Sequence, residues 1–243
     1  MLQKKGMIMT LFAEPDLIGC PHCHQKYHRQ VLCSFNNFEQ VTYSDGSTTS
    51  GINNIIVSET RCIQCQNIIC NVQSLPALQV KPLKPFWRNW FVKPDEYVLI
   101  PHASIDVYFE LFYIAAEVQE KRSWAVNAYR LYNQNFLMYG KERIASVVKQ
   151  HSYRKITDFL LAHPPTPIYE EYILAHPTSP IYEEYNLLCA DIYRLRGDFS
   201  RSKKIYNTVI NEEFEHVVEQ GKQWCDTNNA SLMAIKEYTQ RAI

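Results

Sequence analysis

The chain has 243 residues, enough to bury about 70–75% of its unfolded surface in one or two domains. Lys plus Arg and Asp plus Glu balance at 25 each, which excludes a bulk attraction to nucleic acid or to an anionic membrane. No stretch approaches the roughly 18 consecutive apolar residues of a membrane span, so no membrane partner is expected.

At the start, Lys4-Lys5 followed by Met7 to Ala13 resembles a signal peptide, and Leu17-Ile18-Gly19-Cys20 resembles a lipoprotein cleavage box. Glu14-Pro15-Asp16 interrupts the apolar run where an export signal must be continuous. The chain is therefore expected in a reducing cytoplasm, where thiols stay available for metal; Met7 and Met9 are alternative starting residues.

Cys20 has a better explanation. It opens Cys20-Pro21-His22-Cys23, which is matched later by Cys62-Ile63-Gln64-Cys65. A Cys-x-x-Cys turn presents two sulfurs to one ion while its backbone N–H groups point at the thiolates, and two such turns complete the tetrahedral shell of Zn²⁺. The 38 residues between Cys23 and Cys62 exceed the usual ribbon spacing of roughly 15–20, so the chain between them must double back. Phe35, Phe38, Val41 and Tyr43 precede the polar tip 44–51, and Ile52, Ile55, Ile56 and Val57 follow it; Asp45-Gly46 between such runs is a hairpin signal.

A redox dithiol is the competing reading, but it calls for one motif at a helix start, and here two lie on turns. Glycine often follows the second cysteine of a knuckle; here His24 and Gln66 must take up the left-handed backbone instead. Cys33 and Cys70, with His22, His24 and His28, offer a conceivable second ion, although a lone cysteine more often packs in a core. Cys189 and Cys225 read as packing residues.

From Pro76 to Pro101 five prolines rule out long helix. Phe86-Trp87-Arg88-Asn89-Trp90-Phe91 among lysines reads as an aromatic wedge between modules, with a stacking platform for single-stranded nucleic acid as the alternative. After Ser104, Ile105, Tyr108, Phe109, Phe112, Ala115 and Ala116 form one apolar stripe. A second stripe from Ser123 holds Ala125, Ala128, Tyr129, Tyr132 and Phe136, giving a helical hairpin. Charge then divides: residues 121–155 carry eight Lys or Arg against Glu142, and residues 156–193 carry six acids and no Lys or Arg. The simplest reading is two helix faces that attract each other within the fold.

Residues 161–173 and 174–186 form a tandem repeat identical at ten of thirteen positions. Each copy holds a helix-start signal, Thr166-Pro167 or Ser179-Pro180 followed by paired glutamates. The second copy opens a helix, whereas Pro177 cuts the first short; a duplication absorbed by a surface connection is expected, rather than a site built twice. Beyond it, Ala190, Tyr193, Gly197, Phe199, Ser202 and Tyr206 match the inner half of a tetratricopeptide repeat, with Gly197 ending one helix. A last helix is expected from about Asn211.

Together the two knuckles, Ala128-Tyr129-Arg130 and Ile192 to Phe199 resemble a family of uncharacterised bacterial proteins with an N-terminal zinc ribbon and tetratricopeptide-like C-terminal helices. The family's knuckles map onto Cys20, Cys23, Cys62 and Cys65; its second one usually reads Cys-Pro-x-Cys-Gly, from which Ile63 and Gln66 depart. The resemblance implies this fold and a bacterial cytoplasm, and it lends no activity.

The expected fold is α+β: a zinc-ribbon β module over residues 1–75, a Pro/aromatic linker over 76–103, and an all-α tetratricopeptide-like domain over 104–243 that includes the 161–186 duplication. No glycine-rich phosphate loop, Gly-x-Ser-x-Gly elbow or His-Glu-x-x-His helix occurs, and four sulfurs on zinc leave no open coordination position. The expected function is a non-catalytic zinc-binding adaptor for a protein or peptide partner. The alternative is a factor that binds RNA or DNA through the ribbon, Trp87, Trp90 and the basic stretch.

Overall fold

A computed structural model describes residues 11–12, 15–34, 41–43, 45, 48–49, 57–78, 98–139, 147–164, 180–231 and 234–235. The aromatic segment with Trp87 and Trp90, the first copy of the repeat beyond Pro164, and the side chains of Cys33, Lys141, Arg143 and Lys149 lie outside the described residues. The fold is α+β: among the described residues, small sheets come first and six α-helices follow. The chain divides into two compact units, Met1–Glu39 with Ser50–Val107, and Gln40–Thr49 with Tyr108–Ile243.

In the first unit, β1 (Leu11–Phe12) pairs antiparallel with β4 (Leu32–Ser34). Strands β2 (Asp16–Gly19) and β3 (Lys26–Arg29) form a hairpin in the register Asp16↔Arg29 to Gly19↔Lys26, so the first knuckle is its tip. Two later strands, taken as β7 (Thr60–Arg61) and β8 (Ile68–Ile69), form a second, shorter hairpin with the other knuckle at its tip. Strand β9 (Val98–Leu99) adds in parallel to β3.

The core under these hairpins is small: Ile18, Tyr27, Val57, Ile69, Val72 and Ile100, capped by the buried Cys20 and Cys62. Arg29 ties it together. Its Nη1 donates to the Val72, Gln73 and Leu75 carbonyls, each at 2.9 Å, and its Nη2 to Asp16 at 2.7 Å. A guanidinium can satisfy several carbonyls of an irregular turn at once because its donors form a rigid fork.

In the second unit, β5 (Val41–Tyr43) and β6 (Thr48–Thr49) form a hairpin around Asp45 that returns inside the expected polar tip, while the expected return run at Ile52, Ile55 and Ile56 lies outside the described residues. The hairpin joins β10 (Ala234–Ile235), near the other end of the sequence, in the order β10-β5-β6. The helices are α1 (Ile105–Ile114), α2 (Val118–Tyr139), α3 (Val147–Ala162), α4 (Pro180–Leu195), α5 (Phe199–Tyr206) and α6 (Glu215–Asp226). Helix α2 starts five residues before the apolar stripe, because most of its first turn is polar and exposed and shows no periodicity.

The two oppositely charged stretches meet inside this unit. Arg130 reaches the buried Asp45 at 3.5 Å and Glu184 at 3.8 Å, and Tyr129 donates to Asp191 at 2.6 Å. Arg122 is buried and donates to the His163 and Pro164 carbonyls, which closes the end of α3. Glu183, also buried, accepts from the Ile210 and Asn211 N–H groups and so terminates the chain leaving α5.

Pro180 opens α4 as the repeat's second copy requires. At its end Gly197 has φ +80°, its N–H bonds the Arg194 carbonyl, and the Asp198 N–H bonds the Tyr193 carbonyl: a Schellman turn. Asp198 then caps α5 by accepting from the Arg201 N–H. Ala190, Ser202 and Tyr206 are fully buried, with Ser202 donating to the Ala190 carbonyl at 2.8 Å. The last helix packs on the pair through Leu187, Val217, Val218, Trp224 and Cys225. Arg194, fully buried, pairs with Asp191 at 2.7 Å, stacks on Trp224 and donates to the Asn229 and Ser231 carbonyls, fastening the chain beyond α6.

Gly221 is where α6 makes its closest approach: a Cβ there would lie 2.3 Å from the Tyr206 ring, which has nowhere to move. Overpacking of this kind costs about 1–3 kcal/mol, against up to about 1 kcal/mol of helix propensity regained. Gly221→Ala is expected to lower stability by ~1–2 kcal/mol, read as a fall of a few degrees in melting temperature.

The duplication generates a second expectation. Deleting residues 165–177 removes 13 residues while keeping Pro164, which Arg122 holds, and Pro180, which starts α4. Pro164, Thr178 and Ser179 then span about 10 Å, the separation of two packed antiparallel helices. The deletion is expected to leave the melting temperature within about 3 °C, since shortening a connection changes closure entropy only slowly; a larger fall would contradict it.

Candidate metal centre

The two knuckles are built alike. In the first, the Cys20 N–H bonds the Gln25 carbonyl at 2.8 Å and the His24 N–H bonds the Cys20 carbonyl at 2.9 Å. In the second, Cys62 bonds Asn67 at 2.9 Å and Gln66 bonds Cys62 at 3.0 Å. These bonds require a left-handed residue after the second cysteine, and His24 and Gln66 both adopt φ +62°. The strain of a non-glycine residue there is offset at Gln66, whose side chain donates to the Ile63 carbonyl and whose own carbonyl accepts from Arg61.

The four sulfurs converge. Cys20 and Cys65 lie 3.8 Å apart, Cys23 and Cys62 3.5 Å apart, and all four Sγ atoms are within 4.8 Å of one another. A regular tetrahedron with metal–sulfur bonds of about 2.3 Å has sulfur–sulfur edges of about 3.8 Å. The donor set and spacing therefore fit a tetrahedral thiophilic ion. Among the described residues this is the cluster that such an ion fits, and it contains no histidine; His22 and His24 are exposed beside it. Cys70 stands outside it, as do Cys189 and Cys225, the last buried in the helical core with its thiol donating to Ser202.

Charge favours a cation at this cluster. Burial pushes the Cys20 thiol up. The Gln25 N–H pulls Cys23 down, but burial and the three neighbouring sulfurs push it up to about 12. At Cys62 burial acts upward, yet the Cys65 and Gln64 N–H groups and the Tyr27 hydroxyl bring it down to about 6. Without a metal, Cys62 holds negative charge at neutral pH while Cys20 and Cys23 keep their protons. Four thiolates at these distances need a dication between them.

Sequence reading missed one participant. Tyr27 is fully buried, donates to Cys62 Sγ at 3.1 Å and accepts from the Ile63 N–H at 3.0 Å. Its only sequence signal was the apolar face of a strand next to a knuckle.

The other proposed contact surface is divided by the structure. Of the basic stretch, Arg122 and Arg130 turn inward to protein partners, and Lys121 lies over the Phe112 and Phe159 rings, while Arg154 and Lys155 are exposed. Among the described residues no helix is long and apolar enough to cross a membrane.

Fold and site thus define a protein with a four-cysteine candidate metal centre on paired hairpins and a separate helical unit. Compared with known proteins, the chain matches no family model, no curated protein and no solved structure.

Because Cys20 and Cys23 hold protons at pH 7 when metal-free, binding a divalent ion expels at least these two. Affinity is expected to rise with pH, on the order of 100-fold from pH 6 to pH 7, measured by chelator competition. A pH-independent affinity would show that the sulfurs are not the ligands.

Proposed function

We propose that this chain is a non-catalytic adaptor in which one Zn²⁺, bound by Cys20, Cys23, Cys62 and Cys65, folds the hairpin module and the helical unit receives a protein or peptide partner. The observation that carries the reading is the closed shell of four sulfurs, which leaves no coordination position for a reacting water. In comparable small sites zinc contributes of order 10 kcal/mol to folding, and a core of this size needs it. The reading includes a reducing bacterial cytoplasm and membership of the ribbon-and-helix family that the sequence resembles.

Partner binding has its best support in an open groove of about 350 Å³ on the helical unit, lined by Leu161, Tyr185, Asn186, Cys189, Tyr193 and Ile205. Its lining mixes aliphatic and aromatic side chains with the Asn186 amide and the Thr208 hydroxyl, the combination by which a groove holds and orients a ligand. Most of the side chains facing it come from α4 and α5, the helix–turn–helix in which the tetratricopeptide signature was read, and Leu161 comes from α3.

Two measurements test the two halves. Protein purified without added metal should contain one zinc per chain, lost in Cys20→Ser and Cys62→Ser; iron in the same shell would reveal itself by colour, and no metal with a reactive Cys20–Cys23 dithiol would overturn the reading. A photo-crosslinking residue at Asn186 should capture a discrete protein in cells, and one at exposed Glu219 on α6 should not. Capture of nucleic acid, with binding that weakens steeply in salt, would replace the adaptor by a nucleic-acid-binding factor.

A further inference from the structure

The two knuckles differ at one position with a chemical consequence. After its first cysteine the first knuckle has Pro21, which carries no N–H, and the second has Ile63, which does. In a turn this tight beside a buried sulfur, that extra donor needs an acceptor. It finds the hydroxyl of Tyr27, which in turn donates to Cys62.

We propose that Ile63 N–H, Tyr27 O–H and Cys62 Sγ form a hydrogen-bond relay that makes Tyr27 a positioning and tuning residue of the metal centre. The inference rests on the four-cysteine site being a metal site. Tyr27 arrives from β3 in the first hairpin and reaches a ligand in the second, so it also fixes how the two knuckles face each other. The N–H donated into the phenol oxygen polarises its O–H and strengthens the bond to sulfur. A hydrogen bond to a thiolate stabilises the charged form, lowers the energy of the sulfur lone pair and holds the ligand in place. Cys62 receives this bond from a buried side chain; Cys20 receives the His22 N–H at 3.5 Å, a longer contact from its own turn.

Two roles have to be separated. Tyr27 could serve only as the acceptor that satisfies Ile63, a matter of folding, or it could act on the sulfur. Substitution at position 63 by proline, the residue that the first knuckle carries, removes the N–H and with it the first role.

The test compares the full chain, Tyr27→Phe, Ile63→Pro and the double variant, each loaded with Co²⁺ for spectroscopy and Zn²⁺ for chelator competition. Loss of a hydrogen bond raises the sulfur lone pair, so Tyr27→Phe is expected to shift the sulfur-to-cobalt charge-transfer band to lower energy and weaken zinc binding about 10–100-fold. The decisive comparison is in the Ile63→Pro background. There the shift on adding Tyr27→Phe should persist, reduced because the phenol is no longer polarised. Should Tyr27→Phe leave both the band and the zinc affinity unchanged in that background, Tyr27 would be a mere acceptor for Ile63 and the proposal would be overturned. Wild-type protein that binds neither ion would overturn the metal-centre reading itself, which a null result confined to the Tyr27 variants would leave standing. Fluorinated tyrosine at position 27 gives an independent measure at unchanged shape: a more acidic phenol should move the band to higher energy, and an unmoved band counts against the relay.

Discussion

Crowding of negative charge is the constraint on which the first unit depends. Four sulfurs within 4.8 Å of one another cannot all ionise in the absence of a cation. The unit's core is a handful of apolar side chains beneath two hairpins, one of them with strands of only two residues. Two-residue strands offer too few ladder bonds and too little apolar area to hold a register alone. Register is instead set at the tips, by the knuckle bonds at Cys20 and Cys62, and at the open ends by Arg29 gathering three carbonyls.

The helical unit solves the same problem with different means. Its apolar core is larger, and it still buries Arg194, Asp191, Glu183 and Asp45. Each has partners: Arg194 the chain after α6, Asp191 both Arg194 and Tyr129, Glu183 two backbone N–H groups, Asp45 the guanidinium of Arg130. Buried ions of this kind add little net stability over apolar substitutes, but misplacing any of them strands a charge. They specify which loop closes onto which helix.

Much of the site was legible because metal chemistry tolerates few spacings. Two Cys-x-x-Cys turns announce the four sulfurs that converge, and the missing glycines correctly marked His24 and Gln66 as left-handed. Gly197, Ser202 and Tyr206 were legible for a similar reason: a small, a hydrogen-bonding and a large residue at fixed helical offsets leave few alternatives. Helix α3 was not, since its inward face is Ser152, Ile156, Thr157 and Leu160, half polar, amid a run of cations that drew attention to charge. Asp45 looked like the solvated tip of a hairpin and is buried against Arg130, because a turn's composition is blind to what covers it. Tyr27 could not be told from any inward strand residue, as a phenol's partner is set by tertiary structure alone.

The sheet in which Val41–Tyr43 pairs with Ala234–Ile235 has a consequence for the order of events on the ribosome. Both knuckle hairpins, and the Arg29 contacts to Val72, Gln73 and Leu75, lie within residues 16–75, and their core is completed by Ile100 just after β9, so the sulfur cluster can assemble early in synthesis. Strand β5 emerges among these residues yet keeps an unpaired edge until almost two hundred further residues have been made. Three residues are too short to recruit a foreign strand for long, and brevity is the protection that nascent edge strands commonly use. The chain is translated in one direction, but its second unit is closed like a clasp, by a late segment returning to an early one.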